Sequence, residues 1–338
     1  MNLKSIACAF ATFSLAFLLV VTMAAAGCTG IGQKTTAAPT PAATQAPQTA
    51  APTAAVTQAA TPQSVATAPP AATAAPVTGG KQSIKVSGST TVLPIAQKAA
   101  EAFMAAHPNA DIQVTGGGSG VGVQQIGEKT VNIGMSSREL SATEKTKYPS
   151  LVKNVVAKYG IAIIVNKQNE IDVISADMAK SIYTGQTTKW SQVIGGNVPN
   201  TNQQIVVIGR DSASGTREFF DKAPEGILKG AAPTKSMLEK NSNGAVTQTV
   251  TQTPGGIGYV SIGFITADVK ALPIWYNDPN AAVAPTIENV RSKKYPINRE
   301  LFMFTNGQPT GLAKDFIDFI QSPEGQKIVS DEGYVPLT

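Results

Sequence analysis

The chain has 338 residues, enough for two domains or for one two-lobed domain with extensions. Its 27 Lys and Arg against 22 Asp and Glu give a formal charge of +5. Lys4, Lys34 and Lys81 all precede residue 83, however, and the remainder holds 24 basic residues against 22 acidic ones, about +2. No basic block is interleaved with aromatics, which argues against nucleic acid as a partner. Both cysteines, Cys8 and Cys28, also precede residue 83. The remainder therefore has no disulfide and no thiol chemistry, and at about 250 residues it can bury a core without them.

The first segment, "MNLKSIACAFATFSLAFLLVVTMAAAGCTG", places Lys4 ahead of an apolar run from about Ile6 to Val21 and ends it with small residues. That layout predicts a secretory signal over residues 1–27. "AAGC" resembles a lipobox, with Ala25 where Leu is usual, and marks Cys28 as the acylated N-terminus of the mature chain. The alternative is an uncleaved membrane anchor, since the apolar run is nearly long enough to span. Both place the rest outside the cytoplasm. Residues 28–82 follow as a linker. From 35 to 80 they carry no charge, recur to proline every few residues and show no periodic apolar face. Such a chain spans about 140 Å at most and averages nearer 35–40 Å.

From residue 83 the pattern alternates. "SIKVSG" (83–88) predicts a strand and "PIAQKAAEAFMAAHP" (94–108) a helix, with Pro94 in its first turn. Strands at 111–116 and 131–137 flank a short helix at 121–130, and "SATE" (141–144) is a capping-box pattern before another helix. "VVAKYGIAIIVN" (155–166) is a continuous apolar strand, as in a sheet covered on both faces. A second set follows: helix 175–185, strand 204–210, helix 215–223 and strand 255–264. The chain closes on helical spacing at Phe316, Ile317, Phe319 and Ile320. The alternation predicts an α/β fold with largely parallel sheets.

Three loops share one design. "SGSTTVLP" (87–94), "GGGSGVG" (116–122) and "GRDSASGTRE" (209–218) each end a strand, supply glycine and hydroxyls, and open a helix. Helix N-termini offer unpaired N–H groups and the positive end of the macrodipole. Converging, such loops make a cage of donors for a tetrahedral oxyanion. Taken singly, each serine or threonine before a helix reads first as just a helix cap. Other motifs fail. "GGGSGVGVQQIG" gives no G-x-G-x-x-G, Glu128 stands where a P-loop needs lysine, and no serine sits in G-x-S-x-G. The single histidine, His107, reads as a surface residue at a helix end, and no metal or cofactor site is expected. A hydrolase using Ser119 or Ser214 lacks a histidine partner other than His107, and only a Ser-Lys arrangement stays open.

The stretches "GSTTVLP", "GGGSGVG", "VNIGMSSREL", "IYTGQTTKWSQV", "GRDSASGTREFF", "GGIGYVS", "KKYPINREL" and "SPEGQKIVSDEGYVPL" run in order across residues 83–338. Together they resemble the phosphate-binding proteins of ABC-type phosphate importers. The resemblance implies a type II periplasmic-binding-protein fold, α/β and two-lobed, with two strand crossovers as hinge. The first lobe takes about 83–160 and 265–338 and the second about 161–264. The hinge lies near "YGIAIIVN" and "GYVSIG". It further implies a monomeric, non-enzymatic receptor that hands inorganic phosphate to a membrane permease. By motif, Ser89, Thr90, Thr91, Ser119, Arg210, Ser214, Gly215 and Thr216 carry over as ligand contacts, with Asp211 either holding Arg210 or capping the helix.

One position departs from the family. Ser137 stands where known members carry an aspartate that accepts the proton of hydrogen phosphate and so rejects sulfate; Arg138 follows it. Ser137 can donate as well as accept, which implies softer rejection of sulfate, and Asp211 or Glu139 are candidate substitutes. Arg138 reads as ligand charge or hinge, the alternative being a surface residue that begins the next helix. The alternatives are a receptor for sulfate, molybdate or tungstate, a serine hydrolase, and a signalling or adhesion domain that kept the fold.

Overall fold

The computed structural model describes residues 80–193 and 202–337. The expected signal, Cys28 and the linker up to residue 79 lie outside the described residues. The first stretch runs β1 (Gln82–Gly88), α1 (Leu93–Ala106), β2 (Ala110–Gly116), α2 (Ser119–Gly127), β3 (Ile133–Ser136), α3 (Ala142–Lys147) and β4 (Leu151–Asn166). Local chemistry accounts for these bounds. Pro94 occupies the first turn of α1, where its missing N–H costs nothing. The capping box forms as the sequence predicts: Glu144 N–H donates to Ser141 Oγ (3.2 Å) and Ser141 N–H to Glu144 Oε2 (2.8 Å).

After β4 come β5 (Ile174–Ser175), α4 (Ala176–Tyr183), β6 (Val206–Arg210), α5 (Gly215–Lys222), β7 (Leu238–Lys240), α6 (Asn243–Gln252), β8 (Gly256–Ser261), β9 (Val269–Leu272), β10 (Ile274–Trp275) and α7 (Ile287–Arg291). β11 (Asn298–Asn306), α8 (Gly311–Gln321) and α9 (Pro323–Asp331) close the chain. The strands form one long path, β2-β1-β3-β11-β4-β8-β6-β7, with β9 also on β4.

β4 organises both lobes. Its sixteen residues extend roughly 50 Å. Leu151–Gly160 pair with β11 in the first lobe, and from Ile161 the strand pairs with β8 and β9 in the second. The handover at Gly160–Ile161 lies inside the stretch expected as hinge. The chain returns beside it: Ile161 N–H donates to Ile297 O (2.9 Å), and the buried Tyr295 Oη donates to Ile161 O (2.8 Å). A side chain at Gly160 would meet Val290 Cγ2 of α7 at 2.7 Å and Tyr295 Cδ1 at 3.2 Å, so the missing side chain lets the returning chain pack close to β4.

Two expectations need correction. Residues 269–275, expected in the first lobe, pair with the second half of β4 and with β5. The return crossing therefore lies near residues 292–298 rather than near "GYVSIG". The sheet is also mixed rather than largely parallel. β1–β2, β1–β3, β6–β8 and β6–β7 are parallel, but every pairing of β4 and β11 with a neighbour is antiparallel. The reason is the crossover itself, since β4 leaves the first lobe and β11 re-enters it in the opposite sense. The core fills both faces of β4, whose residues Ile161–Val165 are 0% exposed. The closing helices seal the first lobe, with Phe316 and Phe319 edge-on to Phe103 of α1 at 6.1 and 5.5 Å.

Candidate functional site

Five strand-to-helix loops meet where the lobes face each other. From the first lobe come residues 89–91 ahead of α1, 118–119 at the start of α2, and 137–138 after β3. From the second come 210–216 between β6 and α5, and Asn243 at the start of α6. Packing explains how the backbones come so close. At Gly88 (φ +133°) and Gly122, an added Cβ would lie 2.3 and 2.6 Å from Met135 O. Gly118 (φ +96°) would strike Ala213 O at 2.7 Å, and the neighbouring Gly120 N–H donates to that same oxygen across the lobes (3.0 Å).

The predicted residues are brought together and buried. Ser89, Thr91, Ser137, Arg210 and Thr216 are each 1% exposed, Ser119 is 0%, Ser214 2% and Thr90 8%. Thr91 Oγ1 and Thr216 Oγ1 lie 3.1 Å apart across the lobes, as do Ser119 Oγ and Ser137 Oγ (3.2 Å) within the first. Ser137 N–H donates to Ser119 Oγ (3.0 Å). Gly215 faces both serines: a Cβ there would sit 2.4 Å from Ser119 Oγ and 2.8 Å from Ser137 Oγ. Three buried tyrosines hold the loops from behind. Tyr159 Oη donates to Ser137 O (3.2 Å), Tyr334 Oη donates to Thr91 O (2.8 Å), and Tyr259 Oη accepts from Arg210 N–H (3.2 Å).

Capping and caging turn out to be separable. Ser214 is a true N-cap, its Oγ accepting from Arg217 N–H (3.2 Å). Ser119 is not, because α2 is preceded by Gly118 with no side-chain cap, which leaves the Ser119 hydroxyl for the cleft. Neither Ser119 nor Ser214 hydrogen-bonds to a lysine or histidine among the described residues. His107 caps the far end of α1, where its Nδ1 lies 2.9 Å from Phe103 O.

Arg210 is the centre of the site. Its Nε donates to Lys240 O (3.2 Å), and its Nη2 to Asn241 O (3.2 Å) and to Thr90 Oγ1 across the lobes (3.1 Å). Burial pulls its pKa down, while the fields of Asp211, Tyr259 and Tyr159 act the other way; an arginine keeps its charge regardless. Among the described residues it forms no ion pair. Asp211, next in the chain, reaches it through its field alone, and Asp211 Oδ1 is buried with no hydrogen-bond partner. A buried cation without a carboxylate is costly unless an anion completes it.

Arg138 behaves differently. Its guanidinium forks onto Glu144, with Nη1 to Oε2 at 2.6 Å and Nη2 to Oε1 at 2.7 Å, and its Nε lies 2.6 Å from Glu218 Oε2 of α5.

Sequence reasoning missed Asn243. It is 0% exposed, donates through Nδ2 to Thr91 Oγ1 (3.0 Å) and Thr90 Oγ1 (3.4 Å), and accepts from Ser261 N–H (3.2 Å). "EKNSNGAV" (239–246) is a fourth loop of the same design, from strand β7 through the N-cap Ser242 to α6. No carboxylate hydrogen-bonds to any of these cage groups among the described residues. The cage offers one fixed cation, hydroxyls, an amide and four helix N-termini, which suits a small oxyanion.

Comparison with known proteins bears on this geometry. A model described as "PBP superfamily domain" matches residues 35–324. The phosphate-binding protein PstS of Bacillus subtilis is 39% identical over 258 residues, covering 76% of this chain and 81% of that protein. PstS of Pseudomonas aeruginosa is 29% identical over 268 residues, covering 74% and 81%. Among solved structures, a substrate-binding protein from Clostridium perfringens with bound phosphate superposes with a TM-score of 0.69. It is 32% identical and covers 76% of this chain and 100% of that one. An ABC-type phosphate transport receptor from Vibrio cholerae gives 0.59 at 29% identity, covering 75% and 99%.

Proposed function

The chain belongs to the PBP superfamily and, within it, to the phosphate-binding proteins PstS. From that membership and the geometry of the cage we propose that it captures inorganic phosphate between its lobes and delivers it to the permease of an ABC importer. The observation that carries this reading is Arg210, 1% exposed and without an ion-pair partner among the described residues. On this reading the cage binds and releases, in keeping with relatives named as binding proteins; among the described residues no lysine or histidine hydrogen-bonds to Ser119 or Ser214. Binding in the micromolar range is about −8 kcal/mol. Some ten charge-assisted bonds at ~1.5–3 kcal/mol each exceed that, and the surplus covers dehydration of the anion and lobe closure. Calorimetric titration of the purified chain with phosphate tests the reading, and no heat of binding would refute it.

One observation favours a second reading, a receptor for another tetrahedral oxyanion such as sulfate, molybdate or tungstate. The Ser137 hydroxyl faces Ser119 in the cage (3.2 Å), and among the described residues no carboxylate hydrogen-bonds to either. A carboxylate facing sulfate would be an acceptor without a donor, at a cost of several kcal/mol; Ser137 can turn its proton to the anion instead. Sulfate is expected to displace phosphate at concentrations roughly 10–100 times higher, read by competition titration. Discrimination beyond about 10⁴-fold would place the proton acceptor elsewhere; Glu139 is exposed and paired with Lys153 (2.7 Å), which leaves the buried Asp211 Oδ1 as the candidate.

On the same reading the protein works outside the cytoplasm, its binding domain a monomer tethered by a lipid on Cys28 through the linker. Among the described residues no helix is long and apolar enough to cross a membrane. Incorporation of a fatty-acid label that disappears in Cys28→Ala is the expected result, and label retained in that variant would remove the lipid anchor.

A further inference from the structure

Arg138 sits beside the cage yet spends its charge elsewhere. It follows β3 in the first lobe and is 7% exposed. Its backbone is fixed by Ser136, whose Oγ donates to Arg138 O (2.7 Å) and accepts from Arg138 N–H (3.2 Å). Its Nη groups are held within the first lobe by both oxygens of Glu144 and by Glu139 O (2.9 Å). Glu144 is itself immobilised, since it closes the capping box of α3. A planar fork held in this way aims its remaining Nε edge in one direction. In that direction lies Glu218 of α5, 2.6 Å away and in the other lobe.

The next residue of α5 is gripped as well. Arg299, on β11, lays its guanidinium over the Phe219 ring, 4.4 Å from the centroid. Two first-lobe arginines thus hold consecutive residues of one second-lobe helix. That helix is the one whose first turn presents Gly215 and Thr216 to the cage. Glu218 lies three residues from Gly215, about 5 Å along the axis. Glu218 also acts on both first-lobe cations: with Glu144 it supports the charge of Arg138, and with Glu139 that of Arg299. If α5 withdraws, Glu218 goes with it and both arginines lose one of their carboxylates.

We infer that Arg138 and Glu218 form an inter-lobe clamp that positions α5 over the bound anion, making Arg138 a positioning residue and not an anion ligand. The inference rests on the reading of the cage as an anion site. It predicts where the energy appears: a contact made only after the lobes meet slows release and leaves capture unchanged.

The test uses the full chain, inorganic phosphate and stopped-flow kinetics. Glu218→Gln is expected to raise the dissociation rate of phosphate roughly tenfold, with the association rate within about twofold. The control is Asp331→Asn, which breaks the ion pair of Lys327 Nζ with Asp331 (2.6 Å) on α9, inside the first lobe and away from the cage; both rates should stay as in the unaltered chain. An unchanged dissociation rate in Glu218→Gln, or a loss confined to association, overturns the clamp. If the unaltered chain takes up no phosphate, it is the reading of the cage that fails. The clamp is then judged without ligand by amide hydrogen exchange at Gly120, whose N–H donates across the lobes to Ala213 O. Faster exchange in Glu218→Gln supports it and equal exchange overturns it.

Discussion

Arg210→Ala is expected to weaken phosphate binding by roughly 10²–10⁴-fold. The estimate takes two charge-assisted hydrogen bonds to the anion at ~1.5–3 kcal/mol each. The side chain also carries the tie to Thr90 across the lobes (3.1 Å), so the variant loses part of the closed arrangement along with the charge. Unfolding is not the cause to expect. The substitution strands three acceptors, Lys240 O, Asn241 O and Thr90 Oγ1, but it also removes a buried cation that no carboxylate offsets, and the two effects oppose each other. Thermal stability without phosphate should therefore move by only a few degrees. Arg210→Lys keeps the charge and loses the fork, and it should fall between the two. Calorimetry on the three proteins checks the series, and unchanged affinity in the alanine variant would remove Arg210 from the site.

The cage was legible because its chemistry is local. A strand, a glycine, hydroxyls and a helix start within eight residues can be read without knowing what lies opposite. Three such loops single out residues that the fold brings together. The fourth is hard to read because α6, "NGAVTQTVTQ", is rich in β-branched residues and lacks a strong apolar face. Its Asn243 looks like an ordinary turn residue until Thr90 and Thr91 arrive from 150 positions away.

What stayed hidden is what needs partners across the lobes. The capping box of Ser141 and Glu144 was visible as a spacing of three, but the second task of Glu144 on Arg138 was not, and neither was Glu218, 80 positions on. Arg138 beside a cage of donors reads as ligand charge; only the placement of two carboxylates turns it away. The boundary of the second lobe failed for a related reason. β9 and β10 are four and two residues long, too short to announce which sheet they join. The apolar run of β11 carries no mark that it will lie antiparallel between β3 and β4.

Gly215→Ala separates the cage from the fold more cleanly than any other change. Gly215 is the first residue of α5 and is not among the glycines with positive φ, so alanine fits its backbone and favours the helix. With the lobes apart the substitution should cost nothing, and thermal stability without phosphate should hold or rise. With the lobes together, the new methyl would lie 2.4 Å from Ser119 Oγ, 2.8 Å from Ser137 Oγ and 2.9 Å from Ser119 Cβ. The hydroxyls can swing aside, but the Ser119 Cβ is fixed to α2 and cannot. Overpacking of this kind costs ~1–3 kcal/mol, so phosphate affinity should drop about 5- to 150-fold while the free protein stays intact. A second substitution, Ser119→Gly, removes both contacting Ser119 atoms. If the loss is steric, Gly215→Ala combined with Ser119→Gly should bind phosphate better than the sum of the two single losses predicts. Simple additivity would mean that the serine acts only as a donor and that the lobes do not close on this contact.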